Sequence, residues 1–216
     1  MNAIVDVEAA ERAGWTAIDL ATACVNGGVR FLQIRAKTLP SAAYFDLSSR
    51  ICEMAHRAGA TVIVNDRADV ARLSRADGLH VGQDDLPVAA ARAIMGADAI
   101  VGTSTHTEAQ IEAAMKQPVT YVAVGPVFGT STKATGYSAV GVARVRYAAE
   151  RLQRRTGPRA VVAIGGITLD NAAAVIDAGA TAVAVITDLL ATGDPEARVR
   201  AYLARLVGRG VGRGKV

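Results

Sequence analysis

Short apolar runs alternate with longer helix-forming stretches along nearly the whole of this 216-residue chain, and that alternation leaves few architectures open. The strand candidates are Ala3–Asp6, Val29–Arg35, Thr61–Asn65, Gly78–Val81, Ala99–Gly102, Tyr121–Val124, Ala160–Ile164 and Ala182–Ile186. Strands separated by helices pair in parallel through right-handed crossovers, because a tight hairpin cannot join them. Parallel strands covered on both faces read as near-continuous apolar runs, as these do. Eight such units favour a closed (β/α)8 barrel of the TIM type over an open doubly wound sheet. The expectation is a single α/β domain over 1–207, followed by a basic, Gly-rich tail over 208–216 that is disordered.

Helical composition fills 41–58, 107–115, 142–154 and 170–178. Ser41, Thr107 and Asp170 stand where a side-chain oxygen can cap the exposed N–H groups of a first turn. Gly59, Gly96 and Gly179 stand where a helix stops, since glycine accepts the left-handed conformation used there.

Composition narrows the function. Hydrophobic residues make up 51% and charged residues 20%, which suits a packed core rather than a disordered chain. No apolar run approaches the roughly 18 residues that a membrane helix needs, and the N-terminus has no secretory pattern. Cys24 and Cys52 fall in helix-like segments and form neither a metal-ligand pattern nor a disulfide framework. A cytoplasmic protein is the simplest expectation. The formal charge is +4, but Arg209, Arg213 and Lys215 lie in the terminal tail, and without them it falls to +1. With aromatics at only 4% and no basic stretch interleaved with stacking residues, nucleic-acid binding is disfavoured.

In a barrel of this kind the ligand site lies where the C-terminal ends of the strands feed the following loops. Polar residues gather at those points. Gln33, Arg35 and Lys37 alternate at the strand period, so they share one side while Ile34 and Ala36 take the other. An amide, a guanidinium and an ammonium on one face make a good anion receptor, although an exposed edge strand would also carry polar outer positions. Asn65 and Asp66 follow the third strand and Gln83, Asp84 and Asp85 the fourth. Neighbouring strands lie about 4.8 Å apart, and two carboxylates held so close require a cation or a proton between them. Beside Arg35 and Lys37, Asp66 and Asp85 therefore suit Mg²⁺ bound to a phosphorylated ligand. Read singly, Asp66 could cap the next helix and Asp85 could start the turn before Pro87.

Gly165-Gly166, ahead of Thr168 and Asp170, falls in the seventh loop, where barrels commonly bind phosphate on backbone N–H groups. A tight turn would equally need glycine. Thr130, Thr132 and Lys133 lie in a loop that either clamps a phosphate or polar ring or is simply solvated. Ser104 has no triad partners beyond nearby His106, so a hydrolytic triad is rejected. His80 reads as a satisfied interior histidine, and His56 carries no functional signal.

Six segments together carry a resemblance: 33–37 (Gln-Ile-Arg-Ala-Lys), Asn65-Asp66-Arg67, 80–85 (His-Val-Gly-Gln-Asp-Asp), 102–106 (Gly-Thr-Ser-Thr-His), Gly125-Pro126 through 130–133 (Thr-Ser-Thr-Lys), and 164–167 (Ile-Gly-Gly-Ile). In this order they resemble the thiamine-phosphate synthase family, over about residues 4–206. The resemblance implies a (β/α)8 transferase that joins 4-amino-2-methyl-5-hydroxymethylpyrimidine diphosphate to a thiazole monophosphate, or its carboxylated form, with release of diphosphate. It implies that Gln33, Ile34, Arg35, Ala36, Lys37, Asn65, Ser104 and Lys133 bind the pyrimidine diphosphate and that Asp66 and Asp85 hold Mg²⁺. It places Thr130, Ser131, Thr132, Gly166, Ile186 and Thr187 on the thiazole phosphate. Arg35, Lys37, Ser104 and Lys133 become the catalytic set. Threonine stands at 187 where the family commonly has serine, which keeps the hydroxyl.

Two rivals remain. A thiazole tautomerase of the same superfamily would need a proton-transfer residue, with His106 the candidate, and would not need a metal-diphosphate corner. A sensor that binds thiamine phosphate would turn nothing over. Partners are expected to be small molecules, with neither nucleic acid nor membrane, and homo-oligomerisation is left open.

Overall fold

The computed structural model describes residues 1–129, 137–153 and 160–208. Within them β1 (Asn2–Asp6), β2 (Phe31–Arg35), β3 (Thr61–Asn65), β4 (Gly78–Val81), β5 (Ile100–Thr105), β6 (Tyr121–Val124), β7 (Ala160–Ile164) and β8 (Ala182–Val185) close into one parallel barrel in sequence order. The last pairing, β1 with β8 through Asn2↔Ala184 and Ala3↔Val185, seals it. The expected architecture is the observed one.

Around the barrel lie α1 (Val7–Arg12), α2 (Ala17–Asn26), α3 (Ser41–Arg57), α4 (Ala68–Leu73), α5 (Val88–Met95), α6 (Glu108–Met115), α7 (Gly141–Gln153), α8 (Ala172–Asp177) and α9 (Pro195–Leu206). The period-two pattern of the strands divides their side chains between two cores. Ala3, Val5, Leu32, Ile34, Val62, Val64, Leu79 and Val101 pack outward against the helices. Ile4, Tyr121, Ala123, Val162 and Ala184 fill the inside of the barrel, joined by Phe31 and Ile100. That inner plug closes the lower half, and the cavity-lining polar residues Gln33, Arg35, Asn65, His80 and Ser104 stand towards the C-terminal strand ends.

Some helix starts differ from expectation. Thr107 does cap α6, in a reciprocal capping box with Gln110. Ser41 is instead the first residue of α3, behind Pro40, and gives no cap. Asn171, not Asp170, precedes α8. Proline's fixed φ supplies the entry to α3 without a side-chain bond. Gly59, Gly96 and Gly179 adopt positive φ at the helix ends, as their positions suggested. Of the basic tail, only Gly208 is among the described residues. No described helix is long and apolar enough to cross a membrane.

Candidate active site

A cavity of about 290 Å³ opens at the C-terminal mouth of the barrel. Gln33, Arg35, Asn65, His80, Ser104, Gly166, Ile186 and Thr187 line it together, though they come from six different strands or the loops that follow them. The inward positions of β2 deliver Gln33 and Arg35. Ile34 points the other way, fully buried, and its carbonyl accepts from the Tyr44 hydroxyl at 2.9 Å. Only its backbone can therefore serve a ligand. Ala36 and Lys37 lie just beyond the strand.

The floor of the cavity carries a hydrogen-bonded group of polar side chains. His80 lies 2.8 Å from the Ser104 hydroxyl through Nε2 and 2.9 Å from the Tyr121 hydroxyl through Nδ1. Its ring also stacks on Tyr121, at 5.5 Å between centroids. His80 is thus the satisfied interior histidine expected, yet it faces the cavity, which its place in the strand did not reveal. Tyr121 is deeply buried, and desolvation pushes its phenol well above the usual range. It fits because residue 102 is glycine: a Cβ there would lie 2.0 Å from the tyrosine ring. Gln83 reaches across and donates to the Ser104 carbonyl at 2.6 Å.

Beside this floor lies a charged corner. Asp6 and Arg35 are register partners at the ends of β1 and β2, and they form an ion pair in which Asp6 is only 2% exposed. Glu8 accepts from the Lys37 and Thr38 N–H groups at 2.8 and 3.0 Å, which pins the loop after β2. Lys37 in turn pairs with Asp66. Asp66 has φ 65°, a left-handed conformation uncommon outside glycine, and its N–H donates to the His80 carbonyl at 2.8 Å. It caps no helix, since α4 has Arg67 at its N-cap position and no side-chain cap. Burial raises the pKa of Asp66, a hydrogen bond with Asp85 raises it further, and Lys37 opposes both. Asp85 also accepts the Gly82 N–H at 2.7 Å.

Two cations, Arg35 and Lys37, therefore meet four carboxylates, Asp6, Glu8, Asp66 and Asp85. Arg35 is not the unopposed positive charge that the sequence suggests, because Asp6 already compensates it. A diphosphate would be repelled by such a corner as it stands. The donor set fits a hard divalent cation: two neighbouring carboxylates, Asp66 and Asp85, and an ammonium, Lys37, that partly compensates them. Among the described residues no third carboxylate, histidine or cysteine completes a protein-only metal cage. Magnesium commonly leaves such positions to phosphate oxygens and water.

Across the mouth, Gly165 (φ 99°) and Gly166 (φ 61°) make the turn after β7. A Cβ on either would come within 2.5 Å of Pro126 or of the Gly129 carbonyl, so both glycines are required by packing as well as by backbone angle. The N–H groups that follow are not all bare. Thr168 donates to Asn171 at 2.9 Å and Leu169 to Asp188 at 3.1 Å. Thr130, Ser131, Thr132 and Lys133 lie outside the described residues. His106 lines the cavity with its Nδ1 on the Gly125 carbonyl and its ring stacked 3.9 Å from that of Tyr137.

The sequence gives no site role to Asp6 or Glu8, and it places Asp188 among the polar residues that end the eighth strand without a role. The signal for Asp6 was available, since two opposite charges closing consecutive parallel strands fall side by side. Asp188 gave less, because its partners come from a different helix and loop.

Comparison with known proteins agrees with this geometry. A family model described as thiamine monophosphate synthase matches residues 2–189. A thiamine-phosphate synthase of Anaeromyxobacter dehalogenans is 44% identical over 82% of this chain and 77% of its own length. One from Thermosynechococcus vestitus is 41% identical over 88% of this chain, which spans 52% of that longer relative. Among solved structures, thiamine phosphate pyrophosphorylase from Pyrococcus furiosus superposes with a TM-score of 0.83 at 26% identity, covering 95% of this chain and 94% of that one. The barrel, the family model and the relatives agree, and the chain belongs to the thiamine monophosphate synthase family.

Proposed function

We propose that this chain is the transferase that couples 4-amino-2-methyl-5-hydroxymethylpyrimidine diphosphate to a thiazole monophosphate, giving thiamine phosphate and diphosphate. The observation that carries this reading is the pairing of one cavity, apolar over much of its wall but set with amide and hydroxyl groups, with an acid-rich corner at its rim. Gln33, Asn65 and Ser104 offer the amide and hydroxyl groups that orient a flat aminopyrimidine. The thiazole nitrogen attacks the exocyclic methylene carbon, whose bond to the diphosphate oxygen breaks, and the electron pair leaves with diphosphate. An aminopyrimidine can share the positive charge that develops on that carbon, so bond cleavage runs ahead of attack.

Asp66 and Asp85 are the residues that would hold Mg²⁺, which supplies positive charge to the departing group. Lys37, Arg35 and Lys133 add donors to the same oxygens. The nucleophile is a ring nitrogen with its own lone pair, so no general base is needed, and the residues of this chain act by positioning and electrostatics. Gly166, Ile186 and Thr187 take the thiazole phosphate on the far side, with Thr130, Ser131 and Thr132 from the loop after β6.

The test is diphosphate release with both substrates together, with each alone, and with and without Mg²⁺. Release that needs both substrates and the metal, with thiamine phosphate formed in equal amount, is expected. Binding without product would make the chain a sensor, and isomerisation of the thiazole alone would make it a tautomerase. Electron-withdrawing substituents on the pyrimidine should slow the reaction strongly, and equal rates would show that attack leads instead.

A further inference from the structure

The 3-10 turn Thr187–Leu189 follows β8 and carries an acid to a place where an acid is unexpected. Asp188 lines the same cavity as Gly165, Gly166 and Thr187. A carboxylate facing a phosphate monoester is a like charge, and alone it would oppose binding.

It is not alone. Arg198, in the second turn of α9, grips it with Nη2 at 2.9 and 2.8 Å from the two carboxylate oxygens and Nε at 3.1 Å from Oδ2. The same Nε lies 3.2 Å from the Asp188 carbonyl. Tyr202, one turn further along α9, donates its hydroxyl to Oδ2, and the Leu169 N–H donates to that oxygen at 3.1 Å. One carboxylate thus ties together the loop after β7, the turn after β8 and the last helix. The pair is largely enclosed, with side chains 18% and 10% exposed for Arg198 and Asp188. A buried ion pair contributes little net stability compared with apolar residues of the same size, so stability alone is a poor account of it.

We infer that Arg198 is a positioning residue for the phosphate-bearing substrate: it neutralises Asp188 and, through it, holds the loops after β7 and β8 that carry Gly166 and Thr187. Arg198 does not line the cavity and acts only through the carboxylate. The inference rests on the functional reading above and deepens it at one subsite.

The experiment is steady-state kinetics on the full chain, varying thiazole monophosphate and pyrimidine diphosphate in turn. Arg198→Met keeps a long stem and removes the charge. It should raise the KM for thiazole monophosphate about tenfold, the scale of one uncompensated charge near the ligand, while the KM for pyrimidine diphosphate stays unchanged. Adding Asp188→Asn should restore most of the loss, because the amide oxygen still accepts from Leu169 and Tyr202 but no longer repels phosphate. Arg198→Lys, which keeps the charge without the fork, should show a smaller rise in the same KM and provides the reading if Arg198→Met fails to fold. An unchanged thiazole KM, or both KM values rising together without rescue by Asp188→Asn, overturns the inference and leaves the functional reading standing. A wild-type chain that releases no diphosphate overturns both, and it does so before any variant is made.

Discussion

At the scale of single residues, the chemistry turns on how carboxylates are compensated. Asp66 is pressed by burial and by Asp85, with Lys37 as the opposing charge. Replacing Asp85 by Asn removes one negative charge but keeps an oxygen that can accept from Gly82. The metal-free protein should be unchanged or slightly more stable, since like-charge crowding is relieved, while the Mg²⁺ concentration for half-maximal turnover rises at least about tenfold. Titration of activity with Mg²⁺ beside a melting curve checks both halves, and an unaltered metal requirement removes Asp85 from the ligand set. Gly102 gives a second test. A methyl there meets the Tyr121 ring at 2.0 Å, so Gly102→Ala should cost about 1–3 kcal/mol by overpacking. Denaturant unfolding measures it, and a neutral result would show that Tyr121 can leave His80 without penalty.

At the scale of elements, the loop after β2 is only as ordered as the helix that holds it. Glu8 of α1 accepts the Lys37 and Thr38 N–H groups and the Thr38 hydroxyl. Burial works to raise its pKa, but its own backbone N–H, together with these donors from Lys37 and Thr38, outweighs burial and holds it below the usual glutamate range. A depressed carboxylate contributes stability above its unfolded value and loses it as pH falls through the folded one. The difference in melting temperature between wild type and Glu8→Gln should therefore be largest at neutral pH and shrink on acidification through the carboxylate range. Glu8→Ala should raise the KM for pyrimidine diphosphate on the order of fivefold, the scale of one lost hydrogen bond, without moving the KM for thiazole monophosphate. Equal effects on both would show a general loss of structure instead. Much of this level is legible in the sequence. β3, β4, β6 and β7 run over the residues their apolar patterns mark, and Thr107 caps α6 where its spacing with Gln110 allows. What pattern alone does not give is partner choice. Ser41 and Asp170 have the chemistry of caps, but Pro40 and Asn171 occupy the preceding positions. Asp6 looks like a strand end until the register with β2 places it against Arg35. The dense wiring of Asp188 depends on where α9 comes to rest, and no local periodicity encodes that.

At the scale of the whole molecule, the site exists only because the barrel closes. Its cavity takes residues from β1 and β2 at one side and from β7 and β8 at the other, and the β1–β8 pairing is what brings those ends together. A ligand that bridges the strand ends therefore binds the folded chain and not the unfolded one, and its binding energy appears as stability. The acid-rich corner sets the condition: diphosphate alone meets four carboxylates against two cations, whereas diphosphate with Mg²⁺ brings the missing charge. At about one hundred times the dissociation constant, the pair should stabilise the fold by about 2.7 kcal/mol. For a chain of this size that corresponds to a rise in Tm of about 5–10 °C. Mg²⁺ alone should give a smaller shift and diphosphate alone almost none, so the two effects are more than additive. Asp85→Asn should erase the excess while leaving the melting curve of the ligand-free protein in place. A diphosphate shift that is equally large in the presence of a chelator would mean that the anion is held by cations and backbone alone, and that the carboxylate pair serves the barrel mouth in some other way.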